Sequence, residues 1–180
     1  MPCALLLLLP TAVRAQETRS APRPVPITYG IGGGGSIPLG GVADSVRTGF
    51  NVLGVVQYRP NGSWMAYRLD FLFLRSTLDG VDGTLRAIAL GLNARFDLAS
   101  GRVRPYVIAG TGIYNRWFSF NDESREVLES RQTKGGVSGG AGIEGTLGGT
   151  RIFLEARYHL ILTSPNSTAI VPVTLGITFR

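Results

Sequence analysis

Cysteine is almost absent: Cys3 is the only one in 180 residues. It sits inside an N-terminal leucine-rich segment, so a chain trimmed of that segment carries no thiol. Disulfides, thiol catalysis and thiolate metal sites are thereby excluded. Charged residues are also scarce, at 17%, where a soluble surface usually needs about a quarter or more. Beyond the N-terminal segment no apolar run is long enough for a transmembrane helix. Histidine occurs once, as His159, and no glycine run opens a helical pattern that would cradle phosphate. No cofactor site and no metal site are expected.

What the chain does have is glycine, 25 of them, with 44% hydrophobic residues. High glycine without long apolar runs is the composition of a β protein. The formal net charge is +6, and removal of Arg14 with the leader leaves 17 Lys and Arg against 12 Asp and Glu. The arginines are spread one or two to a segment, whereas a nucleic-acid binder of this basicity clusters them. No nucleic-acid partner is expected. A weak attraction to anionic lipopolysaccharide is compatible with the charge.

Residues 1–15 read as a signal peptide, with the leucines Leu5 to Leu9 as the apolar core and Val13-Arg14-Ala15 as the cleavage site before Gln16. No Lys or Arg precedes the leucines, and a short N-terminal anchor is the alternative. Residues 16–26 carry Pro22, Pro24 and Pro26 and read as a disordered periplasmic leader, because three prolines prevent ladder pairing. Residues 27–180 are expected to form one domain.

That domain holds about eight alternating segments: Ile27–Ile37, Arg47–Tyr58, Trp64–Arg75, Leu85–Leu98, Val103–Trp117, Gly135–Leu147, Arg151–Leu162 and Thr168–Phe179. Each is about the length of a strand that crosses a bilayer at a tilt. Arg59–Ser63, Ala99–Arg102 and Gly148–Thr150 are tight turns. The intervening connections, Pro38–Val46, Ser76–Thr84, Phe118–Lys134 and Thr163–Ser167, are longer. Short turns on one side and longer loops on the other is the arrangement of bacterial outer-membrane barrels. An even strand number returns the C-terminus to the side on which the N-terminus begins.

The period of two assigns the faces. Tyr67, Leu69, Phe71 and Phe73 oppose Arg68 and Asp70. Ile88, Leu90, Leu92, Ala94 and Phe96 oppose Ala87, Ala89, Gly91, Asn93, Arg95 and Asp97. Ile152, Leu154, Ala156, Tyr158 and Leu160 oppose Phe153, Glu155, Arg157 and His159. Val137, Ala141, Ile143 and Leu147 oppose Ser138, Gly140, Gly142, Glu144 and Thr146. In the last segment Val171, Val173, Leu175, Ile177 and Phe179 share a face. The first segment, with Gly32 to Gly35, gives no usable pattern. The period alone does not say which face is inside. A soluble lipocalin-like barrel would bury the apolar face, and a membrane barrel would expose it to lipid. Low charge and the aromatics Tyr58, Phe96, Trp117 and Phe179 near segment ends favour the membrane barrel. Trp64 has the wrong parity for that girdle.

The fold expected is therefore all-β, an eight-stranded antiparallel up-and-down transmembrane barrel, whose interior is just wide enough for side chains. Arg68, Asp70, Arg95, Asp97, Glu144, Glu155, Arg157 and His159 then face inward. Buried charges must be paired and hydrogen-bonded, so these eight read as a structural plug of ion pairs that fills the lumen. A gated ion path is the functional alternative. His159 as a catalytic base is a further alternative. The lipid A deacylases among outer-membrane barrels need a His-x-Ser arrangement, and here Leu160 and Ile161 follow His159, with Ser164 the nearest downstream serine. The loop Phe118–Lys134, with Asp122, Glu123, Glu126 and Glu129 among Arg125, Arg131 and Lys134, reads as a solvated loop with an aromatic collar.

Pro105-Tyr-Val-Ile-Ala-Gly-Thr-Gly112 and Thr174-Leu-Gly-Ile-Thr-Phe179 carry a resemblance. Through them, and over nearly all of residues 27–180, the chain resembles the small outer-membrane β-barrel family, of the kind formed by the transmembrane domain of outer-membrane protein A and by outer-membrane protein X. The resemblance implies a Gram-negative outer-membrane location. It implies that Thr174, Gly176 and Phe179 form the signal read by the barrel assembly machinery, with Arg180 standing where an aromatic is commoner. Outer-membrane lipids and lipopolysaccharide are the expected surroundings, and a monomer the expected state. The function expected is structural or interactive and non-enzymatic, with a lipid A-modifying enzyme or a small pore as alternatives.

Overall fold

In the computed structural model, residues 26–40, 46–80, 83–120, 131–163 and 167–179 are described. The expected signal peptide, the leader up to residue 25, residues 121–130 of the longest loop, and both Ser164 and Arg180 lie outside them.

Eight strands form: β1 (Ile27–Leu39), β2 (Gly49–Tyr58), β3 (Met65–Thr77), β4 (Gly83–Asp97), β5 (Val103–Phe120), β6 (Arg131–Leu147), β7 (Thr150–Ile161) and β8 (Thr168–Phe179). Each pairs antiparallel with its sequence neighbour, and β8 pairs back onto β1 from Tyr29↔Phe179 to Leu39↔Ala169, which closes the barrel. Closure matters physically. In hydrocarbon an unpaired edge of N–H and C=O groups has no water to satisfy it.

The outward face is the apolar one. Ile31, Leu69, Phe71, Leu90, Leu92, Ile113, Leu154 and Leu175 are exposed, while Arg68, Asp70, Arg95, Glu144, Glu155 and Arg157 are buried. That is the inverse of a soluble barrel, and so large an exposed apolar belt is stable only against lipid. Aromatics mark both rims. At the end with the tight turns, Tyr29 stacks on Phe179 with centroids 6.3 Å apart. At the opposite end Phe50 meets Phe73 at 6.0 Å.

Three sequence expectations need correction. Trp64 does belong to the rim: it precedes β3, where strand parity no longer governs direction, and its ring lies 5.3 Å from that of Phe96. β5 and β6 run well into the expected loop Phe118–Lys134, with Asn115↔Thr133 and Trp117↔Arg131 in register. Polar residues carry the pairing there, because the ladder continues beyond the apolar band. Finally, the length contrast between turns and loops is weaker than expected. The β3–β4 connection shrinks to residues 78–82, no longer than 98–102 between β4 and β5.

The glycines have a packing reason that alternation could not show. Tyr106 lies opposite Gly142, where an added Cβ would come within 2.4 Å of the tyrosine ring. Phe153 lies opposite Gly176, with the same 2.4 Å conflict. Large inward side chains thus occupy the space that a neighbouring glycine leaves. In the β6–β7 turn, Gly148 and Gly149 both take positive φ, 56° and 87°, as a two-residue hairpin of right-handed twist requires.

Candidate functional site

The inward charges meet in two groups. In the first, Arg68 on β3 reaches across the barrel to Glu155 on β7, Nη1 donating to Oε2 at 2.6 Å and Nη2 to Oε1 at 2.7 Å. The same guanidinium donates from Nε to Asp70 Oδ1 at 2.6 Å. Arg157 spans the opposite way, donating to Asp70, to Asn93 Oδ1 at 2.5 Å and to Ser138 Oγ at 2.8 Å. Asn93 in turn donates to Asp70 Oδ2 at 2.9 Å. Two arginines face two carboxylates, so the group is neutral, and strands β3, β4, β6 and β7 all contribute.

The second group lies nearer the tight turns. Arg95 donates to Asp97 Oδ1 at 2.8 Å and to Glu144 Oε2 at 2.8 Å. Arg104 donates to Glu144, and Arg59 pairs with Asp97 at 2.8 Å. Tyr106 joins the two groups. Its ring carries the Arg95 guanidinium 3.8 Å from the centroid, and its hydroxyl donates to Glu155 Oε2 at 2.8 Å. Tyr106 is only 1% exposed.

Seven of the eight inward residues named from the sequence are thus brought into these groups. The eighth, His159, is set apart. Its Nδ1 lies 2.7 Å from the Tyr114 hydroxyl, its Nε2 has no hydrogen-bond partner among the described residues, and it is 4% exposed. It faces the lumen rather than the lipid. No group of three or more His, Cys, Asp or Glu side chains stands close enough to hold a metal ion among the described residues.

Apolar side chains share the lumen with the ion pairs. Toward the loop end Leu53, Leu72, Leu74, Ala87, Ala89, Ile161 and Ile170 are buried, beside a buried Asn51 and an Arg116 that donates to Thr168 Oγ1 at 3.0 Å. Those on β3, β4 and β7 share the inward parity of Arg68, Arg95 and His159. Inward direction is set by the strand, and polarity is not part of it, so the expectation of a plug made of ion pairs is corrected to a lumen that ion pairs and apolar side chains fill together. Tyr106, Asn93, Arg59 and Arg104 were not named as site residues. Tyr106 and Arg104 share the inward parity of β5, and Arg59 lies in a turn where parity is silent.

The C-terminal residues Thr174, Gly176 and Phe179 all belong to β8. Thr174 Oγ1 donates to Asn51 Oδ1 at 2.8 Å inside the barrel, Gly176 accommodates Phe153, and Phe179 faces outward against Tyr29.

Comparison with solved structures gives the same architecture at low identity. Neisserial surface protein A superposes with a TM-score of 0.68 at 14% identity, covering 86% of this chain and 96% of that one. The N-terminal β-barrel domain of Pseudomonas aeruginosa OprF gives 0.52 at 18% identity, covering 84% and 97%. Ail, the attachment invasion locus protein of Yersinia pestis, gives 0.52 at 16%, covering 84% and 98%. No curated protein sequence matched the chain significantly. The family model described as "outer membrane protein beta-barrel domain" matches residues 1–179, and the chain belongs to that family of bacterial outer-membrane proteins.

Proposed function

We propose that this barrel is a non-enzymatic, non-conducting outer-membrane protein. Its ion-paired lumen serves as a rigid internal brace, and its loops are the surface it offers to partners. The observation that carries this reading is the two-pronged Arg68–Glu155 pair joining opposite strands. A passage wide enough for ions would have to part those groups. Removing either partner leaves a buried charge uncompensated, at a cost of about 3–5 kcal/mol. Supporting it on the enzymatic side, His159 faces away from the lipid and is bonded to Tyr114.

The orientation that accompanies this reading places the tight turns in the periplasm and the four other connections outside, as in outer-membrane barrels generally. Residues 1–15 would be removed on export and residues 16–26 would trail in the periplasm. Thr174, Gly176 and Phe179 would be read by the assembly machinery, and the inserted protein would be a monomer among lipids and lipopolysaccharide.

Planar-bilayer recording tests the sealed lumen: the folded protein is expected to add no steady conductance, and reproducible unitary currents would sink the reading. For catalysis, cells making the wild type and His159→Ala should carry lipid A with the same acyl chains as cells lacking the protein. A change in acylation that only the wild type produces would move the assignment to a lipid A-modifying enzyme.

A further inference from the structure

On the outward face, Arg75 of β3 and Arg86 of β4 are direct cross-strand partners. Like charges directly opposite each other destabilise a sheet. Neither arginine makes an ion pair among the described residues, whereas Arg47 on the same rim is paired with Asp79 at 2.7 Å. The register continues to Phe50 on one side and Trp117 on the other. A row Phe50–Arg75–Arg86–Trp117 therefore crosses four strands at the loop end. Aromatics flanking cations are what the headgroup level of a bilayer accepts.

Below the arginines the same face is dented. Gly54, on β2, has no atom closer than 3.8 Å to an added Cβ, so the missing side chain leaves a real gap. The groove around it measures about 450 Å³ and is lined by Ile31, Val56, Leu69, Phe71 and Leu90, with Tyr29 and Phe179 at its far end. Phe71 and Leu90 lie four residues from Arg75 and Arg86 along their strands. At roughly 3.3 Å per residue and a tilt near 40°, the groove begins about 10 Å deeper than the arginines. That is the relation between a lipid's phosphate and the middle of its acyl chains.

We infer that the outward face of β2, β3 and β4 seats one phosphorylated glycolipid of the outer leaflet, its headgroup phosphate on Arg75 and Arg86 and one acyl chain in the groove at Gly54. The guanidinium fork matches phosphate oxygens, and a bound phosphate removes the repulsion between the two arginines. The inference rests on the orientation proposed above, in which the loop end meets the outer leaflet.

The full chain, folded into phosphatidylcholine vesicles containing bis-phosphorylated lipid A, dephosphorylated lipid A or phosphatidylglycerol, is extracted and its co-retained lipid counted by native mass spectrometry. Heat-modifiable gel mobility confirms folding of every variant. The wild type is expected to retain bis-phosphorylated lipid A in preference to the other three lipids. The double variant Arg75→Gln, Arg86→Gln should lose retention by about tenfold or more, and Gly54→Leu by a few-fold with both arginines intact. Arg102→Gln, an exposed arginine at the turn end, should behave as wild type. Undiminished retention by the double variant overturns the phosphate seat, and an indifferent Gly54→Leu overturns the acyl groove. Equal retention of phosphatidylglycerol overturns the glycolipid as occupant. Retention from these symmetric vesicles does not depend on orientation. Orientation is read separately, by labelling a cysteine placed at Asp79 on intact cells, so the two failures are distinguishable.

Discussion

Arg68 and Glu155 sit on strands four apart in an eight-stranded ring, and they meet in the middle through two parallel hydrogen bonds of 2.6 and 2.7 Å. Neither side chain is more than 2% exposed. A closed sheet is held together around its circumference by its ladders. This pair adds a tie across the diameter, and Asp70 with Arg157 adds a second between the same two strands.

Removing both ends of the tie should cost less than the two single removals added together. Glu155→Ala leaves Asp70 alone against the buried Arg68 and Arg157 and strands the Tyr106 hydroxyl, at about 3–5 kcal/mol of folding free energy. In the double variant Arg68→Ala, Glu155→Ala the two losses should fall short of additive by roughly 0.5–3 kcal/mol. Urea titration in vesicles, following the heat-modifiable band, measures all four corners of the cycle. Strict additivity would mean that the pair contributes nothing as a pair.

Tyr106 makes two separable contacts, which gives an ordered series. Tyr106→Phe keeps the ring beneath Arg95 and loses only the bond to Glu155, a cost of about 1.5–3 kcal/mol for a hydrogen bond to a charged group. Tyr106→Leu also loses the cation–π contact at 3.8 Å, worth roughly a further 0.5–2 kcal/mol. The same unfolding assay should rank wild type above Phe above Leu. Equal stabilities for the Phe and Leu variants would remove the Arg95 contact from the account.

Gly176 has two readings, as part of the assembly signal and as the space that Phe153 fills. Gly176→Ala places a methyl carbon 2.4 Å from the Phe153 ring and 2.5 Å from the Ile31 carbonyl oxygen, and such overpacking costs about 1–3 kcal/mol. If packing is what matters, Phe153→Leu in the same chain should recover part of that loss when folding is measured with purified protein in vesicles, where no assembly machinery is present. A defect seen only in cells, with full stability in vesicles, would assign Gly176 to assembly instead.

The strand number, the closure of β8 onto β1 and the inward set were legible in the sequence because one signal carries them all. A period of two persists wherever one face meets lipid, so Leu69, Phe71, Leu90 and Leu175 give away Arg68, Asp70 and Arg95 by opposition. The signal stops where the strand leaves the bilayer, which is why the extension of β5 past Trp117 and the place of Trp64 were not legible. Register is invisible to it as well. Nothing in the sequence says that Tyr106 stands opposite Gly142, or that Arg75 stands opposite Arg86, because a period within one strand carries no information about its offset from the next. Polarity along the inward face was equally hidden: Leu72 and Leu74 share the parity of Asp70 yet belong to the apolar cluster of the lumen.

Trp64 and Trp117 are the only tryptophans in the chain, and they mark opposite rims of the barrel. Trp64 precedes β3 at the turn end, against Phe96. Trp117 lies on the outward face of β5 toward the loop end, beside Arg86 in the register. Tryptophan is enriched at both interfaces of membrane proteins, where its ring sits at headgroup level. Single-tryptophan variants, Trp64→Phe and Trp117→Phe, folded into vesicles with bromine placed at different depths along the lipid chains, separate the two. Each remaining tryptophan should be quenched most by bromine near the ester carbonyls and least by bromine at the bilayer centre. Equal shallow depth for both fixes the thickness of the apolar belt between the two rims. Strongest quenching of either one by bromine at the centre would mean that the barrel sits displaced along the membrane normal. Arg75 and Arg86 would then be removed from the headgroup level that the lipid seat requires.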